Sequence, residues 1–225
     1  MDLAALRSSV DRLSREFATK DGRRLSLEVL QAEVDRPLVE RYLAFQPRNS
    51  FQGLPPLKDE VCVKWVADML RTGIHVLART REATIAGHTA IFPIDHRKCE
   101  MLVVVWPEFQ NIGIGTALVQ SSIKMARQLH FERIWLPVDA TNSRARHIYA
   151  KCGFEKVSRG QGREVDMVCD LVRAEAEKIA AHLPPVPPAM TPPVFPSKQR
   201  REAGRPKVLV VRECLGQAKS AHHAE

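Results

Sequence analysis

The chain has 225 residues, of which 44% are apolar and 27% charged, and its formal net charge is +8. That is the length and balance of one globular domain with extensions, and no apolar run approaches the roughly 20 residues a membrane-spanning helix needs. The positive excess, about half of it after Leu171, favours acidic partners such as nucleotide phosphates, ribosomal surfaces or acidic peptides and says nothing about fold.

Residues 2–18 carry Leu3, Leu6, Val10, Leu13 and Phe17 at spacings of three and four, which predicts an amphipathic helix laid on the domain or on a second subunit of a homodimer. Its Asp2, Arg7, Asp11 and Arg12 stand where a signal peptide would be apolar, and its polar face mixes charge signs, unlike a membrane-surface helix. Asp21-Gly22 marks a turn, residues 24–30 read as a strand, and Asp35-Arg36-Pro37 opens a helix to about Phe45. Pro47, Gly53, Pro55 and Pro56 mark a loop; Asp59 is expected to cap a helix that Gly73 ends. Strands follow at 74–79 and 83–92, the second with a break at Gly87-His88, then a hairpin turn at 93–96.

The centre of the chain is 99–116. Met101 to Trp106 is an unbroken, Val-rich apolar run, which predicts a strand covered on both faces. Pro107 ends it. Gly113 and Gly115 then open a helix along which Ile114, Ala117, Leu118, Met125 and Leu129 recur at helical spacing. Free N–H groups at a helix start suit a phosphate or pyrophosphate; the alternative on glycines alone is a tight turn with close helix–strand packing. A Rossmann fingerprint would need a small residue where this chain has Leu118, and a Walker loop would need Gly-Lys-Ser/Thr. Beyond lie a strand at 132–138, a helix at 142–151 and strands at 154–158 and 164–171. A short helical stretch to His182, a Pro-rich linker and a basic tail complete the chain.

The five cysteines (Cys62, Cys99, Cys152, Cys169 and Cys214) are odd in number and form no CxxC pair, and the histidines complete no zinc pattern. They are expected to be reduced thiols in a cytoplasmic protein without a metal.

Gln110-Asn111-Ile112-Gly113-Ile114-Gly115 resembles the Q/R-x-x-G-x-G/A motif of the GNAT N-acetyltransferase superfamily, and the segment from Asn142 through Tyr149 to Gly153-Phe154 resembles its second motif. The resemblance is strong over about 83–170, reaches back to about 24 and stops before the tail. It implies an α+β fold: a mixed, mostly antiparallel sheet with a central splayed parallel strand pair, flanked by helices. It divides the chain into an N-terminal helix (1–20), a GNAT domain (21–172) and a Pro-rich, basic extension (173–225). It implies an N-acetyltransferase that uses acetyl-CoA as cosubstrate and a primary amine as acceptor, with acceptor identity set by the loop at 46–56. Two alternatives stand beside it: a non-catalytic acyl-CoA-binding module, and an interaction protein acting through its basic tail. Nucleic-acid binding is not expected, since Gly204-Arg205-Pro206-Lys207 resembles only half of an AT-hook.

By the same resemblance the main chain of Val103, Val104 and Val105 meets the pantetheine arm, and Gln110, Asn111, Ile112, Gly113, Ile114, Gly115 and Thr116 meet the pyrophosphate. A backbone N–H near Val105 would polarise the thioester carbonyl. Ile112 departs from the pattern, because many members carry Arg or Lys there; the backbone amides would then carry more of the binding. Glu100, where the apolar strand begins, is the candidate base, the alternative being a solvated strand end. Tyr149 is the candidate acid and a cosubstrate contact, the alternative being a core tyrosine on the Ala145, Ile148 and Cys152 face. Asn142 is expected to cap its helix and touch the pantetheine arm. His88 is weighed as an acceptor-site residue against a satisfied strand histidine, and Arg144 and Arg146 as adenosine-phosphate contacts against a solvated face.

Overall fold

A computed structural model of the chain describes residues 3–31, 35–48, 53–157 and 163–173. The helix, Pro-rich linker and basic tail expected after residue 173 lie outside the described residues, as does the turn at 160–162.

The first helix, α1, covers Leu3–Val10 only, followed by a 3-10 turn at Asp11–Leu13. The expected helix does not continue: Arg15–Ala18 is strand β1, antiparallel to β2 (Arg24–Leu30). Phe17 fits a helical stripe and a strand equally, and the free edge of β2 decides between them. Helix α2 (Arg36–Leu43) has Asp35 as its N-cap, with Oδ1 accepting from the Leu38 N–H at 2.7 Å. Helix α3 is Asp59–Thr72; Lys58 holds the cap position without a side-chain bond, and Asp59 instead pairs with Arg48 at 2.6 Å. Then come β3 (Ile74–Thr80), β4 (Ile85–Pro93), β5 (Lys98–Val105), a 3-10 turn at Pro107–Phe109, and α4 (Ile114–Gln128). Strand β6 (Arg133–Asp139), α5 (Ser143–Lys151), β7 (Glu155–Lys156) and β8 (Glu164–Asp170) complete it.

The eight strands form one sheet in the order β1-β2-β3-β4-β5-β6-β8-β7. Every neighbouring pair is antiparallel except β5–β6. That parallel pair follows from the β5–α4–β6 crossover, which cannot be a hairpin.

One face of the sheet carries α4 and α5. Leu27, Val76, Ile91, Cys99, Met101, Ile134, Leu136 and Met167 bury there against Ile114, Leu118 and Met125. The break expected at Gly87-His88 falls one residue earlier in β4, and Gly87 itself makes room: a Cβ on it would lie 2.7 Å from Leu118 Cδ1 and 3.0 Å from Ile114 Cγ2. The bare glycine lets the first turn of α4 settle on the sheet. The irregularity in this region is a bulge in β4 beside it: Ala78 stands opposite Gly87 and Arg79 opposite Ile85, which leaves Ala86 as the extra residue.

The opposite face packs under α2 and α3. Tyr42, Trp65, Trp106, His75, His88 and Phe92 bury there with ring centroids 5.1 to 5.9 Å apart between successive pairs. Trp65 Nε1 is buried without a hydrogen-bond partner among the described residues; the other polar groups are satisfied. His75 Nε2 donates to the Met69 carbonyl at 3.0 Å, so its Nδ1 accepts from His88 Nε2, also at 3.0 Å. His88 Nδ1 then accepts from the Tyr42 hydroxyl at 2.7 Å. Buried Arg7 donates to the Leu70 and Gly73 carbonyls. Arg7 thus supplies a donor to the Leu70 carbonyl in the last turn of α3, and His75 adds a second donor to the Met69 carbonyl, which also accepts from the Gly73 N–H.

Candidate active site

Strands β5 and β6 pair only through Lys98, Cys99 and Glu100 opposite Arg133, Ile134 and Trp135. Past that point β6 stays with β8 as far as Asp139 and β5 stays with β4 as far as Val105. The two parallel strands therefore part, as the resemblance implies. The expectation that β5 is covered on both faces fails for the same reason. Cys99, Met101 and Val104 are buried, but Glu100, Leu102, Val103 and Val105 are half-buried beside the opening.

The ladder with β4 sets which backbone groups face the gap. The Trp106 N–H donates to the Ala86 carbonyl, and antiparallel bonds alternate in direction along a strand. The N–H and C=O of Val104 therefore turn to His88, its partner in β4. Those of Val103 and Val105 turn to the gap, where Gln110 Nε2 donates to the Val105 carbonyl at 3.1 Å.

The loop that follows runs into the start of α4. Asn111 and Gly113 have positive φ, 68° and 99°. Gly113 occupies the N-cap position of α4 with no side-chain cap, and the first turn holds no acidic residue. Its first intrahelical bond is Ala117 N–H to the Gly113 carbonyl, 3.1 Å, so the N–H groups of Gly113 to Thr116 have no intrahelical acceptor. Ile112 is half-buried against the core, and Ile114 is buried within it. Gly115 lies between the end of β5 and α5; a Cβ there would sit 3.6 Å from Val105 Cγ2 and 3.4 Å from Ile148 Cδ1. Gln110 ties the edges together, because its Oε1 also accepts from Arg144 Nη1 at 2.7 Å. Arg144 therefore reaches the loop from α5.

Asn142 caps α5, its Oδ1 accepting from the Ala145 N–H at 3.0 Å. Tyr149, on the same helix, is half-buried against the core with its ring 5.7 Å from that of Phe154. Burial pushes its phenol up to about 12, so it stays protonated at neutral pH. Its hydroxyl has no hydrogen-bond partner among the described residues.

Glu100 sits where the strands part. Cys99 and Met101 on either side of it bury under α4 and α5, so alternation points Glu100 to the face of α2 and α3. It stands opposite Phe92 in β4 and Trp135 in β6. Neither a hydrogen bond nor an ion pair reaches its carboxylate among the described residues, and burial alone lifts its pKa from 4.5 to about 7. Glu108 is more exposed and forms an ion pair with Arg41. His88 is wholly buried in the Tyr42–His88–His75 chain and is a satisfied core histidine.

Part of the acceptor-side loop is described. Arg48 donates through Nε to the Leu43 carbonyl at 3.1 Å and through Nη1 to the Leu57 carbonyl at 2.9 Å, pinning the loop between α2 and α3; residues 49–52 lie outside the described residues. Among the described residues no three His, Cys, Asp or Glu side chains gather into a metal-holding group, and no helix is long and apolar enough to cross a membrane.

One residue at the loop has no counterpart in the sequence motifs. Lys20, in the turn between β1 and β2, donates its backbone N–H to the Ile112 carbonyl at 2.9 Å. Its side chain runs over Gly113, with Cγ 3.7 Å and Cε 4.0 Å from the place a Cβ would take there. No local signal links position 20 to position 113.

A mixed sheet parted at a parallel pair, with a bare helix start beside the opening, is the architecture of an acyltransferase fold. The chain belongs to the acetyltransferase (GNAT) family, whose model matches residues 41–154. It is 38% identical over 56 residues to an N-alpha-acetyltransferase of Sulfurisphaera tokodaii, covering 24% of this chain and 34% of that one. It is 28% identical over 117 residues to the spermidine N(1)-acetyltransferase of Escherichia coli K12, covering 52% and 60%. The matched segments thus span about a third and about three fifths of these relatives' lengths. Among solved structures, the GNAT domain of S. lividans PAT superposes with a TM-score of 0.59 at 14% identity, covering 71% of this chain and 97% of that one. The spermidine N-acetyltransferase of Vibrio cholerae in complex with CoA and spermine superposes with a TM-score of 0.54 at 19% identity, covering 66% and 96%. At these identities the structural likeness shows a shared fold.

Proposed function

We propose that this protein is an N-acetyltransferase that moves an acetyl group from acetyl-CoA to a primary amine by direct attack. The observation that carries the proposal is the parting of β5 from β6 beyond Glu100, which leaves outward backbone groups at Val103 and Val105 next to the uncapped start of α4. Unpaired main chain along an interior strand is costly unless a ligand uses it. Family membership and the activities named for the relatives support the same reading.

Acetyl-CoA as cosubstrate supplies the activated thioester. The outward N–H and C=O of Val103 would pair with the pantetheine amides, and the amides from Ile112 to Thr116, with Gln110 and Asn111, would hold the pyrophosphate. Glu100, poised at about 7, takes a proton from the acceptor ammonium, which frees the nitrogen lone pair for attack. The Val105 N–H stabilises negative charge on the carbonyl oxygen. Tyr149 donates to the departing sulfur. Desolvation in the cleft raises the proton affinity of a thiolate as it does that of the phenol. Acceptors approach from the α2 and α3 face, where Glu100 points. In this proposal the catalytic domain takes in β1, which belongs to the same sheet, and so begins before the residue 21 that the motifs suggest; it reaches to 172, and 173–225 is an extension outside it.

The test is a CoA-release assay across primary amines, preceded by thermal stabilisation with acetyl-CoA. Glu100→Gln and Tyr149→Phe are each expected to lower kcat by about 10²- to 10⁴-fold while the Kd for acetyl-CoA stays within a factor of about three. Tight binding with no turnover for any amine class would overturn the enzymatic reading.

A further inference from the structure

The loop before α4, which holds the pyrophosphate in the reading above, carries no Lys or Arg from Gln110 to Thr116. Ile112 is apolar and half-buried against the core. Two features bring a charge back from far along the chain. The turn between β1 and β2 is fastened to the loop by the Lys20 N–H on the Ile112 carbonyl, 2.9 Å. The aliphatic stem of Lys20 then passes over Gly113, with Cγ 3.7 Å and Cε 4.0 Å from the place a Cβ would take there. The ammonium is one bond beyond Cε, at the mouth of the uncapped helix.

The charges around it are already committed. Asp21, next in sequence, is held by Arg23 at 2.6 Å and by the Thr19 hydroxyl, and those partners hold its carboxyl down at about 2. Lys20 itself is exposed and has no ion pair among the described residues. A lysine whose backbone is tied to the loop and whose stem passes over Gly113, near a helix start whose first four amides lack intrahelical acceptors, is arranged for a phosphate.

We propose that Lys20 is the pyrophosphate-binding cation of this acetyltransferase, standing in for the charge that Ile112 lacks. The inference rests on the acetyl-CoA site proposed above. Lys20→Met keeps the stem and removes the charge; Lys20→Arg keeps both. Lys20→Met is expected to raise the Kd for acetyl-CoA about tenfold at low salt, with the gap narrowing as salt screens it, and Lys20→Arg to restore most of the affinity. The same penalty is expected for dephospho-CoA, which keeps the pyrophosphate, whereas pantetheine, which has no phosphate, competes equally in both proteins. Unchanged acetyl-CoA affinity in Lys20→Met overturns the proposal. A penalty that vanishes with dephospho-CoA assigns Lys20 to the 3′-phosphate instead, and an equal penalty for pantetheine makes its role structural; either result overturns it. Wild-type protein that binds no CoA at all would instead sink the underlying site.

Discussion

Replacing Glu100 with glutamine is expected to stabilise the fold while disabling the chemistry. The carboxyl is half-buried opposite Phe92 and Trp135, without a hydrogen-bond donor among the described residues, and burial raises its pKa from 4.5 to about 7. A raised carboxyl pKa means that the folded state binds more protons than the unfolded state between those two values, so the wild type loses stability as pH rises through that window. At about 1.4 kcal/mol per unit, the charge costs an upper limit of about 3 kcal/mol above pH 7, reduced by the solvent that reaches a half-buried side chain. Glutamine has the same shape and no charge to bury. Urea unfolding of the two proteins should give nearly equal stabilities at pH 4.5. A gap of about 1 to 3 kcal/mol in favour of the variant should open by pH 8. The acid limb of kcat/KM, expected near pH 7 in the wild type, should vanish together with most of the rate. A stability difference that does not change with pH, or a variant less stable at pH 8, would refute the desolvated-carboxylate account.

The buried histidines titrate with the opposite sign. Burial lowers His75 from 6.5 to about 3 and His88 well below 6.5, so below pH 6.5 the unfolded chain takes up protons that the fold refuses. Stability should fall by about 1.4 kcal/mol for each histidine per pH unit below 6.5. Urea titrations in the Glu100→Gln background, which lacks the opposing carboxyl, would show it, and a flat profile from pH 6.5 to 5 would exclude the neutral Tyr42–His88–His75 chain. Gly87→Ala pushes a Cβ to within 3.2 Å of the Val104 carbonyl as well as against Leu118 and Ile114. It should cost about 1–3 kcal/mol and raise the KM for acetyl-CoA by displacing the first turn of α4. A Tm and KM equal to the wild type would mean that the helix does not depend on that approach.

The amino-acid sequence by itself determined the features whose causes are local. Asp35 and Asn142 start helices because each side chain can reach its own N–H groups. Pro107 and Gly113 end β5 and open α4, and the spacing of apolar residues assigns the remaining helices and the strands from β2 to β6. The two motifs placed the loop at 110–116 and the tyrosine of α5 in order, because their chemistry depends on near-neighbour backbone geometry. The tertiary structure alone decided what depends on contacts between distant segments. Phe17 joined a strand because β2 offered an open edge. Gly87 proved to be room for a helix 27 residues onward, and His88 found its partners in α2 and β3. Which valines of β5 face the gap was settled by the ladder with β4, whose register no single strand encodes. The meeting of Lys20 with Gly113 came from the packing of the β1–β2 turn on the loop. Short-range sterics and hydrogen bonds are written residue by residue, whereas the pairing of edges and faces is chosen only when the whole sheet assembles.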